Sequence, residues 1–199
     1  MPEQPYHHGD LKAQLITQGL TLLDTEGYQS FSLRKVAKLC GVSQTAPYRH
    51  FQNKDELIGA IANQALDAFA ASLGAAVSLH PGDSAAQLTE MGVAYIRFFA
   101  KNPEYLRLLF LTDNRLRMRF FEDERAKKHS DSFSILQGVI TRFIAEHPGE
   151  APSHDELMLF SWGLVHGIAT LIASGEIPNN EHTLTTAETA VRSLTSLLG

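Results

Sequence analysis

Apolar residues recur at three-to-four spacing along most of the chain, and this period constrains the fold more than any other feature. Leu11, Leu15, Ile16, Leu20, Leu22 and Leu23 form one such stripe, which gathers apolar groups on one helix face. The pattern returns from Leu57 to Leu73, Leu88 to Phe99, Phe133 to Phe143, Leu157 to Ile172 and Leu184 to Leu198. Strict alternation and Asn-Gly or Asp-Gly turns, the marks of strands and hairpins, are absent from the sequence. An all-α chain with about nine helices is expected. Proline supplies the breaks, at Pro2 and Pro5 in a loose N-terminal arm and at Pro81, Pro103, Pro148, Pro152 and Pro178 further on. Residues 104–147 run 44 residues without proline, so a new start capped by Thr112 or Asp113 is expected within them.

Two details exclude whole classes of function. The single cysteine, Cys40, rules out an intramolecular disulfide and a zinc site built from several thiolates. No uninterrupted apolar run reaches the roughly 20 residues that cross a bilayer, and the first residues, Met1 to Lys12, lack the basic-then-apolar order of a signal peptide. A cytoplasmic protein with no membrane partner is expected.

Charge is unevenly distributed. Residues 1–60 hold six basic and six acidic side chains, so the net charge of -5 lies beyond residue 60. Within that first part, Arg34, Lys35, Lys38, Arg49 and Lys54 fall in a stretch, residues 31–54, that contains no acid. A local basic patch on an acidic body suits an anionic partner such as a phosphate backbone.

The same stretch carries a helix, a tight turn and a second short helix. Ser32 can cap a helix from Leu33 to about Cys40, and Gly41 supplies a permissive turn. Ser43 can cap a second helix from Gln44 to about Phe51. Asn53 then caps a long helix with Asp55 and Glu56 in its first turn. This is the helix-turn-helix plan. Ala37 is small where the helices approach, and Val36, Leu39 and Val42 are expected to face inward. Tyr48 and Phe51 are expected to anchor the second helix. Ser43, Gln44, Thr45, Arg49 and His50 are left outward, where Gln, Thr and Arg can reach base edges. Ser32, Arg34, Lys38 and Lys54 flank them, with the cations placed over phosphates.

The run Phe31-Ser-Leu-Arg-Lys-Val-Ala-Lys-Leu-Cys-Gly-Val-Ser-Gln-Thr-Ala-Pro-Tyr-Arg-His-Phe-Gln-Asn-Lys-Asp-Glu-Leu resembles the DNA-binding domain of TetR-type transcriptional regulators. The likeness covers about residues 9–60. It joins a V-A-x-x-x-G-V-S core to Y-x-x-F-x-x-K-x-x-L at the family's distance. Residues 161–169, Ser-Trp-Gly-Leu-Val-His-Gly-Ile-Ala, resemble a Trp…His-Gly element of one subgroup's C-terminal domain. The resemblance implies DNA contacts through Ser43, Gln44, Thr45, Tyr48, Arg49 and His50, and a phosphate contact from Lys54. It also implies a two-fold dimer on a palindromic double-stranded operator, released when a small molecule enters the second domain. Pro47 departs from the commonest pattern, because it removes a backbone donor from the recognition helix.

The domains expected are residues 1–55 for DNA binding and residues 56–199 for effector binding and dimerisation. Tyr95, Phe99, Phe110, Trp162 and His166 are the candidate lining of a pocket for an apolar or amphipathic effector. Trp162 and His166, spaced i, i+4, share a helix face. Gly163 and Gly167 permit close helix contact, and Leu184, Ala187, Val191, Leu194 and Leu198 form the apolar stripe of the last helix. Both sets are candidates for a four-helix dimer interface. Arg115, Arg117, Arg119, Arg125, Lys127 and Lys128 alternate with acids and read as an ion-paired surface helix. His7 and His8, adjacent and so on different faces, read as part of a polar arm rather than a metal site. Cys40 reads as an inert, packed thiol.

The sequence therefore points to a dimeric, ligand-responsive repressor that needs no cofactor or metal. It shows no phosphate loop, metal-ligand cluster or G-x-S-x-G elbow, so an enzyme is not expected. The alternative is an all-α small-molecule carrier or enzyme without DNA binding, which would keep the pocket and have no use for Ser43 to Lys54.

Overall fold

A computed structural model describes residues 11–111, 131–149 and 151–195, with the side chains of Leu111, Asp131, Leu194 and Thr195 excepted. The described residues contain eight α-helices and no strand. They are α1 (Leu11–Ser30), α2 (Leu33–Leu39), α3 (Lys54–Ser78), α4 (Ser84–Lys101), α5 (Pro103–Leu106), α6 (Asp131–Glu146), α7 (His154–Ala173) and α8 (Glu181–Thr195). One 3₁₀ turn, Ala46–Arg49, follows α2, and a π turn, Arg107–Leu111, follows α5. The expected break at Thr112–Asp113, the basic run 115–128, the arm with His7 and His8, and Leu198 lie outside the described residues.

The chain divides into two compact units, residues 1–64 and 65–199. The split falls inside α3 rather than at its start. The reason is local: Leu57, Ile58 and Ile61, in the first turns of α3, are fully buried and complete the core of the first unit. That core also holds Leu15, Phe31, Leu33, Val36 and Phe51. Helix α1 crosses α3 at Gly19, where an added Cβ would lie 2.9 Å from Ile61 Cδ1 and 3.4 Å from Leu57 Cδ2. The regular part of α1 stops at Gly27, whose φ of 73° breaks the helix before a last turn to Ser30.

In the second unit α4 packs against α6, α7 and α8. Asp83 caps α4 by accepting from Ala86 N at 2.8 Å, and the Ser84 hydroxyl and backbone donate to Glu146 of α6. Arg97 of α4 meets Glu188 of α8 at 2.5 Å, and Arg192 of α8 meets Glu90 of α4 at 2.5 Å. Ser153 and Glu156 form a reciprocal capping box at the start of α7.

Helices α3 and α7 have the length and apolar composition of bilayer-crossing helices. They reach it on average, through sequences broken by polar residues, and not through an uninterrupted run. In α7 the apolarity has a visible location. Leu159 is 75% exposed, and Phe160, Trp162 and Leu171 are exposed on the same helix.

Candidate DNA interface and effector pocket

The helix-turn-helix is held by its turn. Ser32, with extended φ and ψ, caps α2 by accepting from Lys35 N at 3.3 Å. At the other end Val42 N donates to Ala37 O at 3.0 Å and Gly41 N to Lys38 O at 3.2 Å. This is the paired closure of a Schellman turn, and it requires the left-handed residue that Gly41 supplies at φ 68°. Val36 and Ala37 are fully buried, so the frame beneath the surface residues is rigid.

Four expectations for this motif are corrected. The second helix is a single 3₁₀ turn, Ala46–Arg49, not an α-helix over 44–51. Pro47 has no N–H to give Ser43 O, and Ala46 N bonds that carbonyl instead at 3.0 Å. Ser43 accordingly caps nothing: its hydroxyl lies 3.2 Å from Thr45 Oγ1. Leu39 does not face inward but is 51% exposed, and Tyr48 is no anchor, being 50% exposed. Phe51 is buried as expected, and Pro47 is buried beside it. The lost donor at Pro47 is legible in the sequence, whereas the single 3₁₀ turn that results is seen only in the structure.

The result is an outward surface of Ser43, Gln44, Thr45, Tyr48 and Arg49, all exposed, with His50 half-buried at its edge. Arg34, Lys35, Lys38 and Gln44 line one open groove beside Val42. Lys35 is paired with Glu26 at 2.6 Å. Ser32 is half-buried and its oxygen serves the α2 cap. Lys54 is held in place by Tyr28. Its ammonium stands 3.9 Å above the ring centroid and donates to Tyr28 O at 3.1 Å, while the Tyr28 hydroxyl donates to Asp55 at 2.8 Å. These contacts fix the cation at the first residue of α3. Asn53 caps that helix by accepting from Glu56 N at 2.9 Å.

The second unit contains an apolar cavity of about 230 Å³. Helix α3 contributes Leu66, Phe69 and Leu73 to its wall, and α4 contributes Leu88, Met91, Gly92 and Tyr95. Phe110 follows, then Phe133 and Leu136 of α6. Phe160, Trp162, Leu164 and Val165 of α7 and Val191 of α8 complete the apolar wall. No charged side chain lines it among the described residues.

All five sequence candidates for the pocket meet in one network of ring contacts. Tyr95 lies 5.0 Å from Phe99 between ring centroids, Phe99 5.8 Å from Phe110, Phe110 4.9 Å from His166 and His166 5.8 Å from Trp162. Phe99 and His166 are nevertheless not part of the wall. Phe99 is fully buried behind it, and His166 supports Tyr95 through a 2.8 Å hydrogen bond between Nδ1 and the phenol oxygen. Burial holds the Tyr95 phenol well above its usual range, and a hydrogen bond from the Trp162 side chain offsets part of that rise. The sequence reading passed over Phe69, Phe133 and Phe160 as lining. Their only signal was that aromatic side chains stand on apolar stripes, which core aromatics share.

The dimerisation candidates separate into two groups. Gly163 and Gly167 are exposed, and a Cβ at either would touch nothing within 4 Å. They stand between Leu159 and Leu171 at four-residue spacing, on the open apolar face of α7. Ala187 and Val191, by contrast, are buried at 7% and 2% exposure within the chain itself. Their stripe faces α4, where a Cβ at Gly92 would lie 3.0 Å from Val191 Cγ1. Within the chain they are core residues. Leu184 is half-buried, and the side chains of Leu194 and Leu198 lie outside the described residues. Cys40 is partly buried and its thiol pKa is raised by desolvation.

Residues 15–61 match the family model for bacterial regulatory proteins of the tetR family. Residues 88–194 match that for a tetracyclin repressor-like C-terminal domain. No curated protein matches the chain. Solved structures share its fold. A bacterial regulatory protein in the tetR family from Rhodococcus RHA1 is 16% identical with a TM-score of 0.73, over 94% of this chain and 96% of that one. The fatty acid degradation regulator FadR from Bacillus halodurans is 14% identical at 0.75, over 100% and 97%. FadR from Bacillus subtilis, in complex with stearoyl-CoA, is 16% identical at 0.72, over 92% and 96%.

Proposed function

This chain belongs to the tetR family of bacterial regulatory proteins, and from that premise we propose that it is a dimeric repressor released from a palindromic operator by a small apolar or amphipathic effector. It has a transcriptional regulator's N-terminal DNA-binding domain and C-terminal ligand-binding domain. The observation that carries the reading is the surface of Gln44, Thr45, Tyr48 and Arg49, exposed over a fully buried Val36–Ala37 frame. In this reading Gln44, Thr45 and Arg49 address base edges in the major groove. Ser43, Tyr48, His50, Arg34, Lys38 and Lys54 address phosphates. Ser32 stands at the rim as the cap of α2.

The dimer forms on the open face of α7, with Leu159, Gly163, Gly167 and Leu171 against the same face of a second copy. An isologous contact of this kind puts two recognition turns about 34 Å apart along DNA. The segment from Ser161 to Gly167, with Trp162 and His166, supports grouping the chain with regulators that carry a Trp…His-Gly element. The pocket of the second unit holds the effector. Stearoyl-CoA, which the Bacillus subtilis FadR holds, is far larger than the cavity of about 230 Å³ here, which suits a smaller occupant. The protein acts by binding, not by catalysis, and in the cytoplasm.

Selection of duplexes from a random pool by the purified protein tests this. The expected outcome is a near-palindromic site bound by dimers, with affinity falling steeply as salt rises. Weak, sequence-blind binding, or a monomer in light scattering at micromolar concentration, refutes it.

A further inference from the structure

Apart from Ser132 and Ser161, the polar groups of the cavity are those of Tyr95 and Trp162. Tyr95 is only 6% exposed, and its hydroxyl bonds His166 Nδ1 at 2.8 Å. The Trp162 side chain, beside the phenol, lowers its pKa against the rise that burial causes, as an indole N–H, which can only donate, does. His166 either accepts the phenol proton or donates to the oxygen, according to its tautomer. One direction leaves Tyr95 with a free lone pair, and the other leaves it with a free O–H. A ligand hydroxyl satisfies both, because it donates and accepts. A carboxylate placed there would lose its water against a wall on which Leu66, Phe69, Leu88 and Val165 offer it nothing.

Size narrows the class further. A dry cavity of about 150 Å³ takes benzene. The cavity here, about 230 Å³, has room for roughly nine or more non-hydrogen atoms on the same scale. Phe69, Tyr95, Phe110, Phe133, Phe160 and Trp162 all contribute rings to the wall, so aromatic bodies gain edge and face contacts as well as apolar burial.

We infer that the cavity takes an uncharged, largely apolar or aromatic molecule of about that size whose single hydroxyl is read by Tyr95, with His166 and Trp162 as positioning residues. This rests on the proposal above that the cavity is the effector site. It adds the chemical class of the occupant and the residue that recognises it.

The chain supplies its own reporter, because Trp162 is its only tryptophan and lines the cavity. Three probes share one phenylbutyl body: 4-phenylbutan-1-ol, 4-phenylbutyrate and n-butylbenzene. Each is titrated at neutral pH into the full-length protein, under selective excitation of tryptophan. The alcohol is expected to shift Trp162 emission saturably, with the carboxylate about tenfold or more weaker. In Tyr95→Phe the alcohol should weaken by about tenfold, and n-butylbenzene should stay within about twofold of its affinity for the unmodified chain. Equal affinity of alcohol and carboxylate in the unmodified protein overturns the inference, and that comparison needs no variant to fold. So does an alcohol affinity indifferent to Tyr95→Phe, or the absence of any shift with all three probes. The effector reading is tested separately, by release of the selected operator. Alcohol binding that leaves the operator bound sinks the effector role and leaves the pocket chemistry standing.

Discussion

Replacing Gly92 with alanine tests how α4 is seated between α7 and α8. A Cβ there would lie 3.0 Å from Val191 Cγ1 and 3.3 Å from Val165 Cγ1, against an ordinary carbon contact of about 3.5–4.0 Å. The neighbours must therefore yield by a few tenths of an ångström. Both valines are buried, at 2% and 6% exposure, and a helical valine keeps one χ1 rotamer, so neither methyl can swing aside. Overpacking of this kind costs about 1–3 kcal/mol. Alanine returns about 1 kcal/mol over glycine in a helix interior. The net expectation is a loss of about 1 kcal/mol. In a Val191→Ala background the closer obstruction is gone, and Gly92→Ala should become neutral or stabilising. The two substitutions should thus couple by about 1–2 kcal/mol in a double-mutant cycle. Urea unfolding of the four proteins, at one fixed concentration because dimerisation contributes to stability, measures it. Additivity within about 0.5 kcal/mol would mean that α4 and α8 are not in the close contact described.

Other outcomes follow from the same geometry. Arg49→Ala should weaken the selected operator by about 1–3 kcal/mol and relax preference at one position, whereas Lys38→Ala should weaken all sequences alike and lower the salt slope by about 1, both read by titration at several salt concentrations. Ser153→Ala removes the capping box of α7 and should cost about 1 kcal/mol in urea unfolding. It should also raise the Glu156 pKa towards the ordinary glutamate value in NMR titration, because the Ser153 side chain and backbone hold it down. A lowered carboxylate favours the folded state above its unfolded pKa and loses that contribution as pH falls through the folded value, so Ser153→Ala should flatten the acid limb of stability. Cys40, its thiol pKa raised by desolvation, should alkylate more slowly than a free cysteine at mildly alkaline pH; a faster rate would contradict its packing.

The sequence by itself determined the helical class, the first helix and the glycine turn of the helix-turn-helix, and the caps made by Ser32 and Asn53. Those depend on neighbours within a few residues: Ser32 with Lys35, Ala37 with Val42, Lys38 with Gly41, Asn53 with Glu56. It also brought Tyr95, Phe99, Phe110, Trp162 and His166 forward as a group, because apolar stripes and i, i+4 pairs declare which side chains share a face. Tertiary structure alone decided what each face meets. The stripe of Ala187 and Val191 reads the same whether it packs on its own α4 or on a second copy, and only the approach of Gly92 assigns it to the core. Leu39 points outward although it stands three residues from the buried Val36 on the same helix, and Tyr48 is exposed on the 3₁₀ turn where Pro47 denies the backbone one donor. Phe99 lies behind the pocket wall and Phe69 forms part of it, although both are phenylalanines on apolar faces. Periodicity specifies a direction from the helix axis, and the neighbour found in that direction is set by contacts distant in the chain.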